Sequence, residues 1–209
     1  MKANTIFLPI LLALFLFIVP MLLMAQSSIN NSDVNNNNVI RDSSNTSIGY
    51  KSKADMGTVR IKKSNVSGSQ INNNTSINHS TNKSYGYKSE ANVGTVNVSS
   101  SSLSGSSLNN SATISNSHNS SYGYKSKANM GAIQLQNVQV SGSQISNNAA
   151  IAGSSNSAIG YKAQANMGSI VVKKNLSGEQ IYNSSVNSGA SNSAVGFKAK
   201  SNVGTIIMK

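Results

Sequence analysis

The sequence has no cysteine and no tryptophan, and its two prolines, Pro9 and Pro20, both lie near the start. Without cysteine there is no disulfide framework and no thiolate metal site. Acids are scarce as well: five Asp and Glu stand against 17 Lys and Arg, for a formal net charge of +12. Large side chains are few. Only 38% of the 209 residues are apolar and 5% aromatic, and part of that apolar share falls in the first 24 residues. The remainder is dominated by Asn, Ser and Gly, a composition too poor in large apolar residues for an ordinary globular core. What remains is a disordered low-complexity chain or a repeat fold whose thin core is fed by a few positions per unit.

The repeat is present. Ser47 to Ile61, SIGYKSKADMGTVRI, returns as SYGYKSEANVGTVNV from Ser84, SYGYKSKANMGAIQL from Ser121, AIGYKAQANMGSIVV from Ala158 and AVGFKAKSNVGTIIM from Ala194. The marker glycines Gly49, Gly86, Gly123, Gly160 and Gly196 are spaced by 37, 37, 37 and 36 residues. A fixed period of this size signals stacked units. Disorder does not require apolar residues to return in phase. Between the markers a second motif recurs: SGSQINN from Ser67, SGSSLNN from Ser104, SGSQISN from Ser141 and SGEQIYN from Ser177, with NNSDVNN at Asn30 to Asn36 as the degenerate first copy.

Val, Ile, Thr and Tyr at the recurring positions favour strands, while Asn, Gly and Ser disfavour helix. The expected fold is all-β: a single-stranded β-solenoid of five repeats, at about 26–62, 63–99, 100–136, 137–172 and 173–209. Each repeat divides into two halves of roughly 18 residues, and each half is expected to form one coil, so two coils per repeat. Ten coils at about 4.8 Å give a rod on the order of 50 Å long. Equivalent tyrosines would then lie about 10 Å apart and would not stack directly.

Alternation within a unit places Ala54 and Met56 on one side, and Val59 and Ile61 on one side in the opposite parity. Gly57 sits at the break, where a corner needs free φ, and it returns as Gly94, Gly131, Gly168 and Gly204. The expected inward set is Met56, Val59, Ile61 and Ile71 with their equivalents, plus a row of Ile40, Ile77, Ile114 and Ile151. Asparagine holds three phases. They are Asn36, Asn73, Asn110, Asn147 and Asn183; then Asn45, Asn82, Asn119, Asn156 and Asn192; and Asp55, Asn92, Asn129, Asn166 and Asn202. Amides stacked along an axis bond like with like; equally, Asn suits the turns that recur with the strands.

Met1 to Ala25 carries Lys2, an apolar run from Ile6 to Met24 and a small residue before Gln26. This reads as a signal-peptide helix, residues 1–25, cleaved near Ala25, which leaves a repeat domain at 26–209. An uncleaved anchor is the alternative. The expected location is secreted, extracellular or on the outer cell surface.

The search for chemistry returns nothing that recurs. Asp33, Asp42, Asp55, Glu90 and Glu179 fall in different phases and supply no repeating acid–base pair. His79 and His118 stand at different distances before their GYK motifs. No nucleophile elbow, phosphate loop or calcium-binding nonapeptide is present. No catalytic residue, metal ligand or cofactor is expected, and the chain is expected not to be an enzyme. One surface feature recurs: Tyr50–Lys51, Tyr87–Lys88, Tyr124–Lys125, Tyr161–Lys162 and Phe197–Lys198. It reads either as rings packing corners with solvating lysines, or as a ladder of cations and rings for an anionic polysaccharide or cell surface. The lysines form no compact run, and nucleic acid is not an expected partner.

SAIGYKAQA at Ser157 to Ala165 resembles the signature of trimeric autotransporter adhesin heads. The phased Ser, Gln and Asn of SGSQINN resemble the polar ladders of curlin, the subunit of curli amyloid. The texture is similar to filamentous-haemagglutinin-type β-helices. These resemblances imply export, surface structure and adhesion without catalysis. The last unit ends in VGTIIMK, and this end is expected to be an open edge for head-to-tail assembly with further copies of the chain, with lateral assembly as the alternative. The expectation is therefore an exported structural repeat protein that stacks into fibres or matrix, with a surface adhesin as the alternative.

Overall fold

The computed structural model describes residues 27–173 and 176–208. The proposed signal peptide lies outside the described residues. The first coil comprises β1 (Ser27–Asn30), β2 (Asp33–Arg41), β3 (Ser44–Ile48), β4 (Lys53–Met56) and β5 (Val59–Lys62). The second comprises β6 (Ser64–Ser67), β7 (Gln70–Asn78), β8 (Thr81–Tyr85), β9 (Glu90–Val93) and β10 (Val96–Ser99). Three more such sets follow, the last formed by Leu176–Ser177, Gln180–Ser188, Ser191–Val195, Lys200–Val203 and Ile206–Met208. Among the described residues there is no helix.

Every strand pairs in parallel with its counterpart in the next unit. Ser27 faces Ser64, Asn36 faces Asn73, Ser47 faces Ser84, Ala54 faces Ala91 and Val59 faces Val96. The result is five parallel sheets of five strands each, running along one axis. The chain is a β-solenoid of five coils.

The register corrects the expectation of two coils per repeat: each repeat closes once. The two halves of a unit are not equivalent rungs but opposite walls of the same coil. One half supplies the nine-residue β2-type strand, the other the short strands bent at Gly57. Five coils at about 4.8 Å span about 24 Å, half the expected length.

The walls enclose two large apolar clusters, beside a small one of Ala128, Ala158, Ala163 and Ala165. One joins the rows of Val59, Ile61, Val66 and Ile71, with Val96, Leu103, Leu108, Ile133, Leu135 and Ile145 fully buried in the middle coils. The Val66–Leu103–Val140 row was not singled out in the sequence, because the glycines and serines beside it resemble a loop. The other joins Met56, Ile77, Val93, Ile114, Met130, Ile151 and Met167. Alternation within β7 buries Ile71, Asn73, Thr75 and Ile77 and turns Gln70, Asn74 and Ser76 outward.

Glycine is required at two corners. Gly94 and Gly131 have φ of 57° and 58° where the chain turns from the β4-type to the β5-type strand. Gly86 and Gly123 have φ of 151° and 150°, and a Cβ on either would overlap the carbonyl oxygen of the marker glycine one coil earlier.

Candidate functional site

The interior of the coil is held by amides. Asn36 Nδ2 donates to Asn73 Oδ1 (2.7 Å), Asn73 to Asn110 (2.7 Å), Asn110 to Asn147 (2.8 Å) and Asn147 to Asn183 (2.9 Å). The second row runs the same way, from Asn45 through Asn82, Asn119 and Asn156 to Asn192, at 2.7–3.0 Å. Its amides also reach backbone: Asn119 Nδ2 donates to Ala91 O (3.1 Å) and Asn129 O (3.0 Å). The row therefore ties the β3-type wall to the β4-type wall as well as coil to coil.

The third row runs in the opposite direction. Asn202 Nδ2 donates to Asn166 (2.8 Å), Asn166 to Asn129 (2.8 Å), Asn129 to Asn92 (2.7 Å) and Asn92 to Asp55 (2.6 Å). It ends on a carboxylate. Sequence reasoning missed further ladders. Outward-facing Asn109 donates to Asn72 (2.9 Å) and Asn72 to Asn35 (2.8 Å). At the turns, the Ser80 and Ser117 backbone N–H groups donate to the hydroxyl one coil on, on Ser117 and Ser154. The same phase arithmetic that revealed the asparagines would have found these serines.

The aromatic row follows from the single-coil register. Tyr50, Tyr87, Tyr124, Tyr161 and Phe197 stack directly, with ring centroids 4.9–5.2 Å apart. This corrects the expectation that another coil would separate them. Tyr85 and Tyr122 form a further pair at 5.0 Å. Over each ring of the main row lies the lysine that follows it in sequence: Lys51, Lys88, Lys125, Lys162 and Lys198, with Nζ 5.5–5.8 Å from the centroid. The rings stay accessible, from 36% at Tyr161 to 63% at Tyr50 and Phe197. Shallow recesses beside the row are lined by Lys51, Lys53, Lys88, Lys125 and Lys127 with the Glu90 carboxylate among them, and by Lys162, Lys173, Lys198 and Lys200. Burial pushes the Lys173 ammonium below the usual lysine range, and Lys127 and Lys200 add to the shift.

Two of the scattered acids converge. The bend at Gly57 folds β5 against β4, and Arg60 reaches both Asp55 (2.9 Å to each oxygen) and Glu90 (3.5 Å), with Lys53 at 3.6 Å from Glu90. Burial works against the Arg60 charge, but Glu90 and Asp55 outweigh it and hold its pKa above the ordinary arginine value. Both carboxylates face cations. His118 lies with Nδ1 against Ser155 Oγ, and burial, then Lys83, lower its pKa. Among the described residues no cluster of three or more His, Cys, Asp or Glu could hold a metal.

The two ends differ from the middle. In the last coil Val203, Ile206 and Met208 are 45%, 44% and 57% exposed, where their neighbours Met167, Ile170 and Val172 are at most 1% exposed. Asn183 Nδ2 has no hydrogen-bond partner. In the first coil Val34, Asn36, Ile40 and Asn45 are half-buried, where their counterparts in the second coil are buried. No family model, no curated protein and no solved structure matches the chain.

Proposed function

We propose that the chain is an exported structural rod that builds extracellular fibres or matrix by stacking end to end in register. The observation that carries this reading is the register: the Met56, Val59 and Ile61 core rows pass in parallel pairing through every coil to Val203, Ile206 and Met208. A second copy of the chain has the same cross-section, and its first coil continues each of those rows. Parallel pairing at the edge of the last coil extends five sheets at once. The test is incubation of the purified chain at neutral pH, followed by electron microscopy and fibre diffraction. Filaments with a strand reflection near ~4.8 Å support the reading. A rod that stays monomeric at high concentration contradicts it.

A second reading rests on a separate observation, the unbroken row of five stacked rings with a lysine over each. A cation every coil, with Lys127 and Lys200 alongside, makes a strip suited to a linear polyanion such as an acidic polysaccharide on a cell surface. Retention on heparin-type resin that falls with salt, and falls further when Lys88 and Lys125 are both changed to Gln, is the expected result. Equal retention of wild type and variant contradicts it.

A further inference from the structure

The directions of the three asparagine rows fix how two copies of this chain can meet. Resting on the end-to-end reading, we propose that Asp55 is a built-in brake on the joint, and that it acts on one row of three. The first row donates from the first coil to the last, so its unmet group at the far end is a donor, Asn183 Nδ2. At the other end Asn36 Oδ1 has one donor within its own coil, Asn38 Nδ2 at 2.8 Å. Asn73 Oδ1 likewise takes Thr75 Oγ1 within its coil and still accepts from Asn36. In an in-register joint the Asn183 donor of one copy therefore meets the Asn36 acceptor of the next.

The second row ends differently. Asn192 Nδ2 is already taken by Ser201 Oγ at 2.9 Å. Ser201 stands at the position that Ala54, Ala91, Ala128 and Ala165 hold in the other coils, so the donor of this row is taken within its own coil, and a change at Asp55 leaves that unaltered.

The third row is the one that conflicts. Each asparagine donates toward the first coil, so at the far end Asn202 presents an acceptor, Oδ1. The group that would meet it is Asp55, the single residue of the row that is not asparagine. A carboxylate has no proton to donate. The joint thus sets acceptor against acceptor and carries the Asp55–Arg60 ion pair into the seam. Buried polar atoms left unpaired are costly, and more so when charged. In an asparagine at this position, Nδ2 would donate to Asn202 of the neighbouring copy, while Oδ1 would still accept from Asn92.

The test compares seeded elongation of wild type, Asp55→Asn and Arg60→Gln, each expressed from its full sequence and purified alike. Light scattering and filament length are the readouts. Asp55→Asn is expected to elongate about tenfold faster than wild type, since it turns a contact of acceptor against acceptor into a donor meeting the Asn202 acceptor. Arg60→Gln, which breaks the same ion pair but leaves the carboxylate, is expected to be no faster than wild type. Assembly of Asp55→Asn at the wild-type rate, with wild type forming filaments, overturns the brake and leaves the end-to-end reading standing. Equal acceleration by Arg60→Gln also overturns it, because loosening would then be the cause. Absence of filaments from all three chains overturns the end-to-end reading and the brake with it.

Discussion

The carbonyl oxygen of Gly86 occupies the place where a Cβ on Gly123 would have to go. Gly123 also has φ +150°. Gly123→Ala is therefore expected to destabilise by at least about 3 kcal/mol, through backbone strain and steric overlap together. Gly142, with φ +56° and nothing near its Cβ position, is a turn that asparagine tolerates. Gly142→Asn should stay within about 1 kcal/mol of wild type. Urea unfolding followed by tyrosine fluorescence distinguishes them.

Asn119 holds the next residue of its row, Asn156, and two carbonyls, and accepts from Asn82, all buried. Asn119→Ala leaves several of these groups unpaired and should cost about 3 kcal/mol or more. Asn72 belongs to an outward-facing ladder with water at hand, and Asn72→Ala should cost under about 1 kcal/mol. Equal losses in chemical denaturation would show that the inward rows have no special weight.

The pKa of His118 is lowered by burial and by Lys83, so the folded chain binds its proton less readily than the unfolded chain. Where the unfolded state binds more protons, stability rises with pH. The contribution is thus fully present at neutral pH and declines as pH falls below the ordinary histidine value of about 6.5. His118→Gln should flatten the stability–pH curve between about pH 7 and 5. An unchanged slope in the variant would contradict this assignment.

The register predicts intrachain cross-links. The chain has no cysteine of its own, so introduced pairs report cleanly. Ser76 and Thr113 are partners on the outer face of the nine-residue sheet. Adjacent parallel strands lie about 4.8 Å apart, within disulfide reach. Ser76→Cys with Thr113→Cys should oxidise to an intrachain disulfide. With two coils per repeat they would be about 10 Å apart and unbridged.

The sequence showed the period, the corner glycines and the three asparagine phases, because each is a residue type returning at fixed spacing. Burial of Met56, Val59, Ile61 and Ile71 follows from alternation alone. The number of coils per repeat was not legible from a length of roughly 18 residues per half, since one long strand facing several short ones satisfies the same arithmetic. The stacked rings depend on that register, and so escaped notice. The meeting of Asp55, Arg60 and Glu90 depends on the fold at Gly57 and on pairing between coils, and no phase in the sequence marks it. The direction of each amide row is set by side-chain rotamers, which a repeat of letters does not encode.

The most direct test of end-to-end assembly is a cross-link at the joint itself. Asn37, Asn74, Ser111, Asn148 and Ser184 form one outer row, and the joint places Ser184 of one copy beside Asn37 of the next. Chains carrying Asn37→Cys and chains carrying Ser184→Cys are mixed, assembled and oxidised. The account predicts that the mixture yields disulfide-linked dimers joined 37 to 184, and that neither chain alone yields a comparable amount. Filaments of the mixture from which no 37–184 dimer forms, under conditions that oxidise the separate Ser76→Cys, Thr113→Cys chain, would contradict it.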